Sequence, residues 1–286
     1  MNKTNLKKRI VIGSANFTQE YGSDSFQINY NELKKILNLA KKNNIYKIDT
    51  AEAYLKNKNI FKKIDNKFQF FTKIIFDSKW ASLEFCQKQL EHHFRIFSNN
   101  KVEILFFHDI KILFTKNGEK IFRNLEVLKK KKYFQKIGLS IYDTTCLANL
   151  ISKYNFDVIQ CSYNILDKRI LSSGWFCKLK NQGIEIHARS IFLQGLLIND
   201  SFYKKKYFKK WYPFFFDWFQ SLKKNKISPI DYCLTDLLNY DFDKIIVGIN
   251  NSKNLKDIIN FKIIDKNKII IPKINDIKLI DPRSWK

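Results

Sequence analysis

The sequence predicts an α/β fold of the (β/α)8, or TIM, barrel class, with parallel strands and a site at their C-terminal ends. Eight short apolar runs alternate with amphipathic segments of helical spacing. The runs lack strict alternation of apolar and polar residues, which is typical of strands covered on both faces. The length of 286 residues suits such a barrel, which needs about 250, so we expect one domain over residues 1–286. A doubly wound open sheet has the same alternation and is the alternative.

The predicted strands are short, and several are rich in β-branched or aromatic residues. In chain order they are Arg9–Gly13, Lys47–Asp49, Phe68–Lys73, Val102–Phe107, Lys136–Ser140, Val158–Cys161, Glu185–Arg189 and Lys244–Val247. In a parallel barrel the carboxyl ends of all these strands lie at one mouth, and active sites form there. Polar residues at those ends are therefore the candidates for function.

The amphipathic segments between the strands predict helices packed around the barrel. Asn31–Lys42 carries Leu33, Ile36, Leu37 and Ala40 at the spacing of one helix face. The other predicted helices are Leu83–Phe97, Ile121–Lys130, Thr144–Lys153 and Leu255–Phe261. We interpret their apolar stripes as core packing rather than as ligand sites.

Aromatic side chains crowd Asn199–Gln220, which departs from this rhythm. One part is expected to form a helix packed on the barrel, and another part a loop over its mouth. Substrate specificity is expected to come from three long loops, namely Phe17–Tyr30, Asp109–Asn117 and Asn199–Pro213.

The net charge of +25 raises the question of a polyanionic partner such as nucleic acid. The basic residues are nearly all Lys and are spread along the chain beside abundant Asn, Ile, Phe and Tyr, as in genomes whose codons are biased toward A and T. The longest basic runs, Lys129–Lys132 and Lys204–Lys206, fall where exposed helix faces or loops are expected. Arg, the better residue for base readout, is scarce. A solvated surface charge with no specific nucleic-acid partner is the favoured interpretation, and a functional basic surface is the alternative.

The five cysteines form no CxxC pair, so the sequence predicts neither a metal site nor a disulfide framework. Reduced thiols are typical of the cytoplasm. The N-terminus has no apolar segment of signal-peptide length, and no run reaches the roughly 18 apolar residues of a membrane span. We expect a cytoplasmic protein without a membrane partner, and we take a monomer as the default because the sequence does not reveal an oligomeric state.

Four polar residues fall at or just beyond the ends of consecutive predicted strands. Asp49 ends the second strand, and Tyr54 follows five residues later. Lys73 ends the third strand, and His108 follows the fourth. Each has an ordinary structural explanation, such as a helix cap or a solvated strand end. Their convergence on one mouth of the barrel favours a shared chemical role.

This set of side chains could supply what reduction of a carbonyl group needs. A hydride goes to carbon and a proton goes to oxygen, so a proton donor must lie within hydrogen-bonding reach of that oxygen. Tyr54 can donate, and the neighbouring ammonium of Lys73 would lower its pKa from the ordinary value of about 10. Asp49 would keep Lys73 in place and charged, while His108 would donate a hydrogen bond to the carbonyl oxygen.

These residues resemble the Asp-Tyr-Lys-His tetrad of the aldo-keto reductase superfamily. Asp49-Thr50-Ala51-x-x-Tyr54, Thr72-Lys73 and Phe106-Phe107-His108 are similar to three of its segments. Further similar segments are Ile12-Gly13-Ser14-Ala15-Asn16-Phe17, Ile137-Gly138-Leu139-Ser140, Ile159-Gln160 with Tyr163-Asn164, and Arg189-Ser190-Ile191-Phe192-Leu193-Gln194-Gly195-Leu196-Leu197, the last resembling a bacterial branch. The resemblance covers about residues 10 to 262 and implies a barrel oxidoreductase.

No G-x-G-x-x-G segment follows a strand, which argues against a Rossmann cofactor site. The resemblance instead implies a nicotinamide dinucleotide bound in an extended form across the strand ends. It places Gly13 and Ser14 at the cofactor backbone, and Ser140 and Gln160 at the carboxamide. Arg189 stands in place of a Tyr that stacks on the nicotinamide. The residues implied at the pyrophosphate are Ser190, Phe192 and Gln194.

The loop after the last strand corresponds to the family's grip on the adenosine 2′-phosphate, and it includes Gly248, Asn250, Lys253 and Asn254. Asn254 stands where many NADP-dependent members have Arg, and Ile258 stands where an Asn often contacts adenine. Ile141 likewise replaces a common Asn near the carboxamide. Lys253 could still hold a phosphate as a point charge. Family habit favours NADP(H), with NAD(H) as the alternative.

The resemblance therefore implies a cytoplasmic reductase of a small-molecule aldehyde or ketone, with Tyr54 as general acid. A sugar-like carbonyl is suggested by analogy with bacterial relatives that share the segment beginning at Arg189. Two alternatives remain, namely a non-catalytic cofactor-binding sensor or subunit, and a polyanion-binding barrel.

Overall fold

Eight parallel strands close into a barrel in which each strand pairs with its neighbours in the sequence and β8 pairs with β1. The structure is a computed structural model that describes residues 3–20, 27–55, 57–98, 100–266, 269, 271, 274 and 276–285. The predicted barrel is confirmed, and the doubly wound open sheet is wrong because the sheet has no free edge.

The strands agree with the predicted bounds to within one residue at each end. They are β1 (Ile10–Gly13), β2 (Lys47–Asp49), β3 (Gln69–Ile74), β4 (Val102–Phe107), β5 (Lys136–Ile141), β6 (Val158–Ser162), β7 (Glu185–Arg189) and β8 (Lys244–Gly248). Most of their residues are buried, because the barrel interior covers one face and the helices cover the other.

The described α-helices surround this barrel. They are α1 (Lys3–Lys8), α2 (Tyr30–Lys42), α3 (Lys58–Lys62), α4 (Leu83–Phe94), α5 (Gly118–Lys130), α6 (Leu147–Lys153), α7 (Arg169–Ser172), α8 (Trp175–Asn181), α9 (Tyr212–Lys224), α10 (Pro229–Leu237), α11 (Ser252–Ile259) and α12 (Ile277–Ile280). The five predicted helices correspond to α2, α4, α5, α6 and α11. Within the described ranges, no helix is long and apolar enough to cross a membrane.

The aromatic segment 199–220 contains two 3-10 turns, Phe202–Lys204 and Lys206–Trp211, followed by the first residues of α9. Its rings pack on one another, as where Tyr203 stacks on Phe215 with ring centroids 5.8 Å apart. The segment also anchors the C-terminal residues, since the Tyr207 hydroxyl donates to the Lys278 carbonyl at 2.8 Å. A second loop expected to set specificity, Phe17–Tyr30, includes residues 21–26, which lie outside the described residues.

An apolar layer made of Val11, Phe71, Ile104, Phe106, Val158 and Ile246 fills part of the barrel interior, and the buried His187 ring packs against its two phenylalanines. Successive side chains of a strand point to opposite faces, so the residue two positions further along faces the interior again. By this alternation Lys73 lies above Phe71, Gln160 above Val158, and Gly248 above Ile246. The apolar layer is thus the floor of the site at the C-terminal mouth.

A glycine makes room for one of the two phenylalanine rings in this layer. Gly138 of β5 lies directly opposite Phe106 of β4, and a Cβ atom at Gly138 would come within 2.3 Å of the Phe106 ring.

We expect Gly138→Ala to lower the free energy of unfolding by about 1–3 kcal/mol, the usual cost of overpacking a core. Gly248→Ala is the matched control, because a Cβ atom there meets nothing within 4 Å, and its effect should stay within about 0.5 kcal/mol. Urea unfolding of both variants measures the difference. Equal stability of the two variants would contradict the packing of Phe106 against Gly138.

Candidate active site

A cavity of about 160 Å³ opens at the C-terminal mouth above the apolar layer. The structure brings nearly all of the predicted site residues to its wall. They are Gly13, Ser14, Asp49, Tyr54, Lys73, His108, Ser140, Gln160, Arg189, Ser190, Phe192, Gln194, Gly248, Asn250 and Asn254. Lys253 is the exception, because it lines a neighbouring cavity. We call the first the catalytic cavity and the second the outer cavity.

A buried ion pair lies at the base of the catalytic cavity. The Lys73 Nζ atom is 2.5 Å from Asp49 Oδ2 and also donates to the Thr50 carbonyl at 3.0 Å. Gln160 Nε2 donates to the other carboxylate oxygen of Asp49 at 2.8 Å. Burial lowers the pKa of Lys73, whereas the charge and hydrogen bond of Asp49 raise it. Asp49 is therefore the group that keeps a buried ammonium charged here.

Tyr54 and His108 face each other across this pair. Tyr54 ends a 3-10 turn, Glu52–Tyr54, that follows β2, and its main-chain carbonyl accepts a hydrogen bond from the Thr18 hydroxyl. The Tyr54 and His108 rings meet edge to face with centroids 6.3 Å apart. Burial, and next the charge of Lys73, lower the pKa of His108 to about 4. The imidazole is therefore neutral near pH 7 and carries one N–H donor.

Arg189 stacks on a protein ring at the cavity wall. Its guanidinium carbon lies 4.2 Å from the centroid of Tyr142, and it donates to Ser162 Oγ and the Ile141 carbonyl, both at 2.8 Å. The Arg283 guanidinium lies 3.7 Å from the same centroid. Both guanidinium groups are therefore within cation–π distance of the Tyr142 ring. Sequence reasoning did not identify Tyr142 or Arg283, because only the fold brings the C-terminal residues to β5.

Four side chains that line the catalytic cavity have buried polar atoms without a hydrogen-bond partner in the described part of the chain. The atoms are Ser14 Oγ, Asn16 Oδ1, His108 Nδ1 and Gln160 Oε1. An unsatisfied buried polar group costs about 1–3 kcal/mol. A ligand with both donors and acceptors, such as a nicotinamide carboxamide, fits this set. Asn16 is an addition to the predicted residues, and its Nδ2 also joins the β1 loop to the Ile249 carbonyl at 2.9 Å.

The outer cavity, of about 760 Å³, adjoins the catalytic cavity. Both are lined by Gly195, Ile198, Ile230, Asn250 and Asn254, so a long ligand could extend from one into the other. The loop between them is strained, because Ser190, Leu193 and Gln194 have φ values of 61°, 47° and 52°. Such left-handed conformations in residues other than glycine cluster at functional sites.

A family model for the aldo/keto reductase family matches residues 9–275. The chain belongs to the aldo/keto reductase family. Among solved structures, aldo-keto reductase AKR11C1 from Bacillus halodurans, in its holo form, is similar, with 15% identity, a TM-score of 0.68 and coverage of 91% of this chain and 89% of that one. Glycerol dehydrogenase AKR11B4 from Gluconobacter oxydans is similar at 16% identity, with a TM-score of 0.66 and coverage of 91% and 88%. No curated protein sequence matches the chain.

Members of this family are oxidoreductases that act on carbonyl compounds and typically bind NAD(P)H. The resemblance inferred from the motifs is thereby confirmed. The two structural likenesses lie below 20% identity and bear on the fold alone. The roles of individual residues, the choice of cofactor and the substrate remain predictions.

Removal of one partner of the buried ion pair should cost more than removal of both. We expect Asp49→Asn to lower the free energy of unfolding by about 3–5 kcal/mol, because it leaves the Lys73 ammonium buried without its countercharge. The double variant Asp49→Asn/Lys73→Met should recover much of that loss. Urea unfolding of the two single variants and the double variant gives the coupling energy, and additive losses would mean that the pair is not coupled.

The depressed pKa of His108 predicts a specific acid sensitivity. Above pH 6.5 the imidazole is neutral in both folded and unfolded chains, but between pH 6.5 and 4 only the unfolded chain binds the proton. This contribution to stability is therefore lost as the pH falls through that window, by at most about 1.4 kcal/mol per pH unit. The stability advantage of the wild type over His108→Gln should shrink between pH 7 and 4.5 in urea titrations. A constant difference would show that His108 titrates normally.

Proposed function

We propose that this protein is an NAD(P)H-dependent reductase that converts an aldehyde or ketone to an alcohol, with Tyr54 as the general acid. The observation that carries the proposal is that Tyr54, Lys73, Asp49 and His108 line one cavity, with the buried Lys73–Asp49 pair at its base. The partner is a small-molecule carbonyl or alcohol.

Proton transfer is the first task of these residues. The hydroxyl of Tyr54 donates its proton to the carbonyl oxygen of the substrate as that oxygen gains negative charge. The ammonium of Lys73 stabilises the phenolate that remains, which makes Tyr54 a stronger acid than an isolated tyrosine. Asp49 supports this role because it offsets the burial that lowers the pKa of Lys73.

Orientation of the carbonyl group is the task proposed for His108. A neutral imidazole donates one hydrogen bond without offering the easily lost second proton of an imidazolium. The pKa of about 4 keeps His108 in that state from neutral pH down to about pH 5. The carbonyl oxygen would then accept two hydrogen bonds, from Tyr54 and from His108, and these fix the position of the carbon that is reduced.

The residues around the cavity fit a nicotinamide dinucleotide. A bound reduced nicotinamide supplies the hydride. Gln160 commits its Nε2 to Asp49, so its unpartnered Oε1 is left to accept from the carboxamide, and Ser140 beside it on β5 lines the same wall. Gly13 and Ser14 would approach the cofactor backbone from β1. The flat guanidinium of Arg189 would reach the nicotinamide while it remains stacked on Tyr142.

The rest of the dinucleotide would run toward the outer cavity. Ser190, Phe192 and Gln194 would hold the pyrophosphate, since the strained loop that contains them separates the two cavities. The loop after β8 would hold the adenosine through Gly248, Asn250, Lys253 and Asn254. This extended path spans both cavities, and it accounts for Lys253 lining the outer cavity while Asn250 and Asn254 line both.

Removal of the Tyr54 hydroxyl should separate turnover from binding. We expect Tyr54→Phe to reduce kcat by about 10²–10⁴-fold, the usual contribution of a general acid, and to leave the Kd for reduced nucleotide within about twofold. Tyr46→Phe is the matched control, because its hydroxyl bonds to Lys41, outside both cavities. The measurement is NAD(P)H oxidation with a panel of aldehydes and ketones, beside a titration of Trp fluorescence. Near-native turnover of Tyr54→Phe would show that another group donates the proton.

The role of His108 predicts a smaller and different effect. His108→Ala should lower kcat/KM less than Tyr54→Phe does and should alter the order of preference among the panel substrates, because orientation rather than proton donation is lost. Steady-state kinetics on at least two chemically distinct substrates would measure this. An unchanged profile would rule out the orienting role.

A further inference from the structure

The first residue of α11 is held by a carboxylate from a different helix. Glu32, in the first turn of α2, accepts hydrogen bonds through one oxygen from both the main-chain N–H and the hydroxyl of Ser252, each at 2.6 Å. The side chain of Glu32 is 20% exposed, and its second oxygen lies 3.3 Å from the Nζ of Lys35. These hydrogen bonds from Ser252 lower the pKa of Glu32 to about 2, so it is ionised at neutral pH.

The next donor at this helix end is also occupied. Asn251, the residue before α11, accepts a hydrogen bond from the main-chain N–H of Asn254 at 2.8 Å. The N-terminus of a helix binds anions because its first N–H groups are free and its dipole is positive there. In this protein the chain's own Glu32 and Asn251 use the N–H groups of Ser252 and Asn254.

This helix end lies at the outer cavity, where the proposed function places the adenosine. Ser252 stands between Asn251 and Lys253, and both of these line that cavity. The charged side chains among the described lining residues balance in number, since Lys223 and Lys253 are matched by Asp200 and Asp257. Glu32 is not itself a lining residue, but its ionised carboxylate is bonded to Ser252, between the lining residues Asn251 and Lys253, so it adds negative charge at this end of the site. Lys35 offsets it little, because the Lys35 side chain is 69% exposed and is screened by water.

We propose that Glu32 makes this enzyme select NAD(H) over NADP(H). A 2′-phosphate carries about two negative charges near neutral pH. It would meet the carboxylate of Glu32 and find the hydroxyl of Ser252 and two N–H groups of α11 already bonded. A ribose 2′-hydroxyl is neutral, so it avoids the repulsion. The inference rests on the proposed function, and it reverses the preference for NADP(H) that the resemblance to the family gave.

Equilibrium binding to the full-length protein tests the proposal without the need for a substrate. Titration of Trp fluorescence, with isothermal calorimetry as a second readout, gives Kd values for NADH and NADPH. The wild type should bind NADH at least about tenfold more tightly than NADPH. Glu32→Gln keeps an acceptor for Ser252 but removes the charge, so it should tighten NADPH binding by about tenfold and leave the Kd for NADH within about twofold.

Two further variants separate charge from structure. Glu32→Asp keeps the charge and should keep the preference for NADH. Glu84→Gln removes a carboxylate from the first turn of α4, which packs against α5 rather than beside α11, and should leave the ratio of the two Kd values unchanged. Since salt screens charge repulsion, the ratio in the wild type should also shrink as ionic strength rises.

The possible results distinguish failure of this inference from failure of the proposed function. Equal or tighter binding of NADPH by the wild type would overturn the role of Glu32 and leave the proposed reductase intact. A folded Glu32→Gln variant with an unchanged ratio would do the same. If neither nucleotide bound to the folded wild type, the proposed function would fail, and this inference with it. Because the wild-type ratio needs no substitution, the proposal stays testable even if Glu32→Gln does not fold.

Discussion

The site depends on one interaction, the buried ion pair between Asp49 and Lys73. Burial of two charges is expensive, and the mutual attraction repays it only where further hydrogen bonds satisfy both groups. Here Gln160 holds the second oxygen of Asp49, and the Thr50 carbonyl accepts from Lys73. Because these residues belong to β2, β3, β6 and the β2 loop, the pair ties three strands together across the mouth. The buried ammonium of Lys73 thus lies in the cavity where the proposed proton donor, Tyr54, needs a nearby positive charge.

The closed barrel determines which side chains can reach that pair. An apolar layer fills part of the interior, and alternation along each strand brings the next inward-facing residues to the mouth. Gly138 leaves space for the Phe106 ring in that layer, so the ring fits beneath the cavity. Burial strengthens the electrostatic effect of Lys73 on its surroundings, and burial and Lys73 together lower the pKa of His108. The catalytic chemistry that we propose is therefore a consequence of packing as much as of the residues themselves.

Residues at the ends of strands could be predicted to lie at the barrel mouth from the local sequence. Asp49, Lys73 and His108 could be assigned to the mouth because each lies at the end of an apolar run, and the strand bounds agree to within one residue. Contacts between distant segments could not be predicted this way. The contact of Arg283 with Tyr142 joins the C-terminal residues to the loop after β5, and the bond of Glu32 to Ser252 joins residues 220 positions apart in the sequence. Glu32 looks like an ordinary first-turn acid of α2 until the fold places it beside α11.

The most direct test of the central claim is whether the cavity transfers a hydride from one face of a fixed nicotinamide. NADH and NADPH, each labelled with deuterium at either the 4R or the 4S position, would be incubated with the enzyme and an aldehyde panel, and the alcohols analysed by mass spectrometry. We expect deuterium at the carbinol carbon from only one of the two labelled forms, because in the proposed mode Gln160 and Ser140 would hold the ring in one orientation. A folded protein that binds the nucleotide but yields no labelled alcohol, or equal label from both forms, would contradict the account.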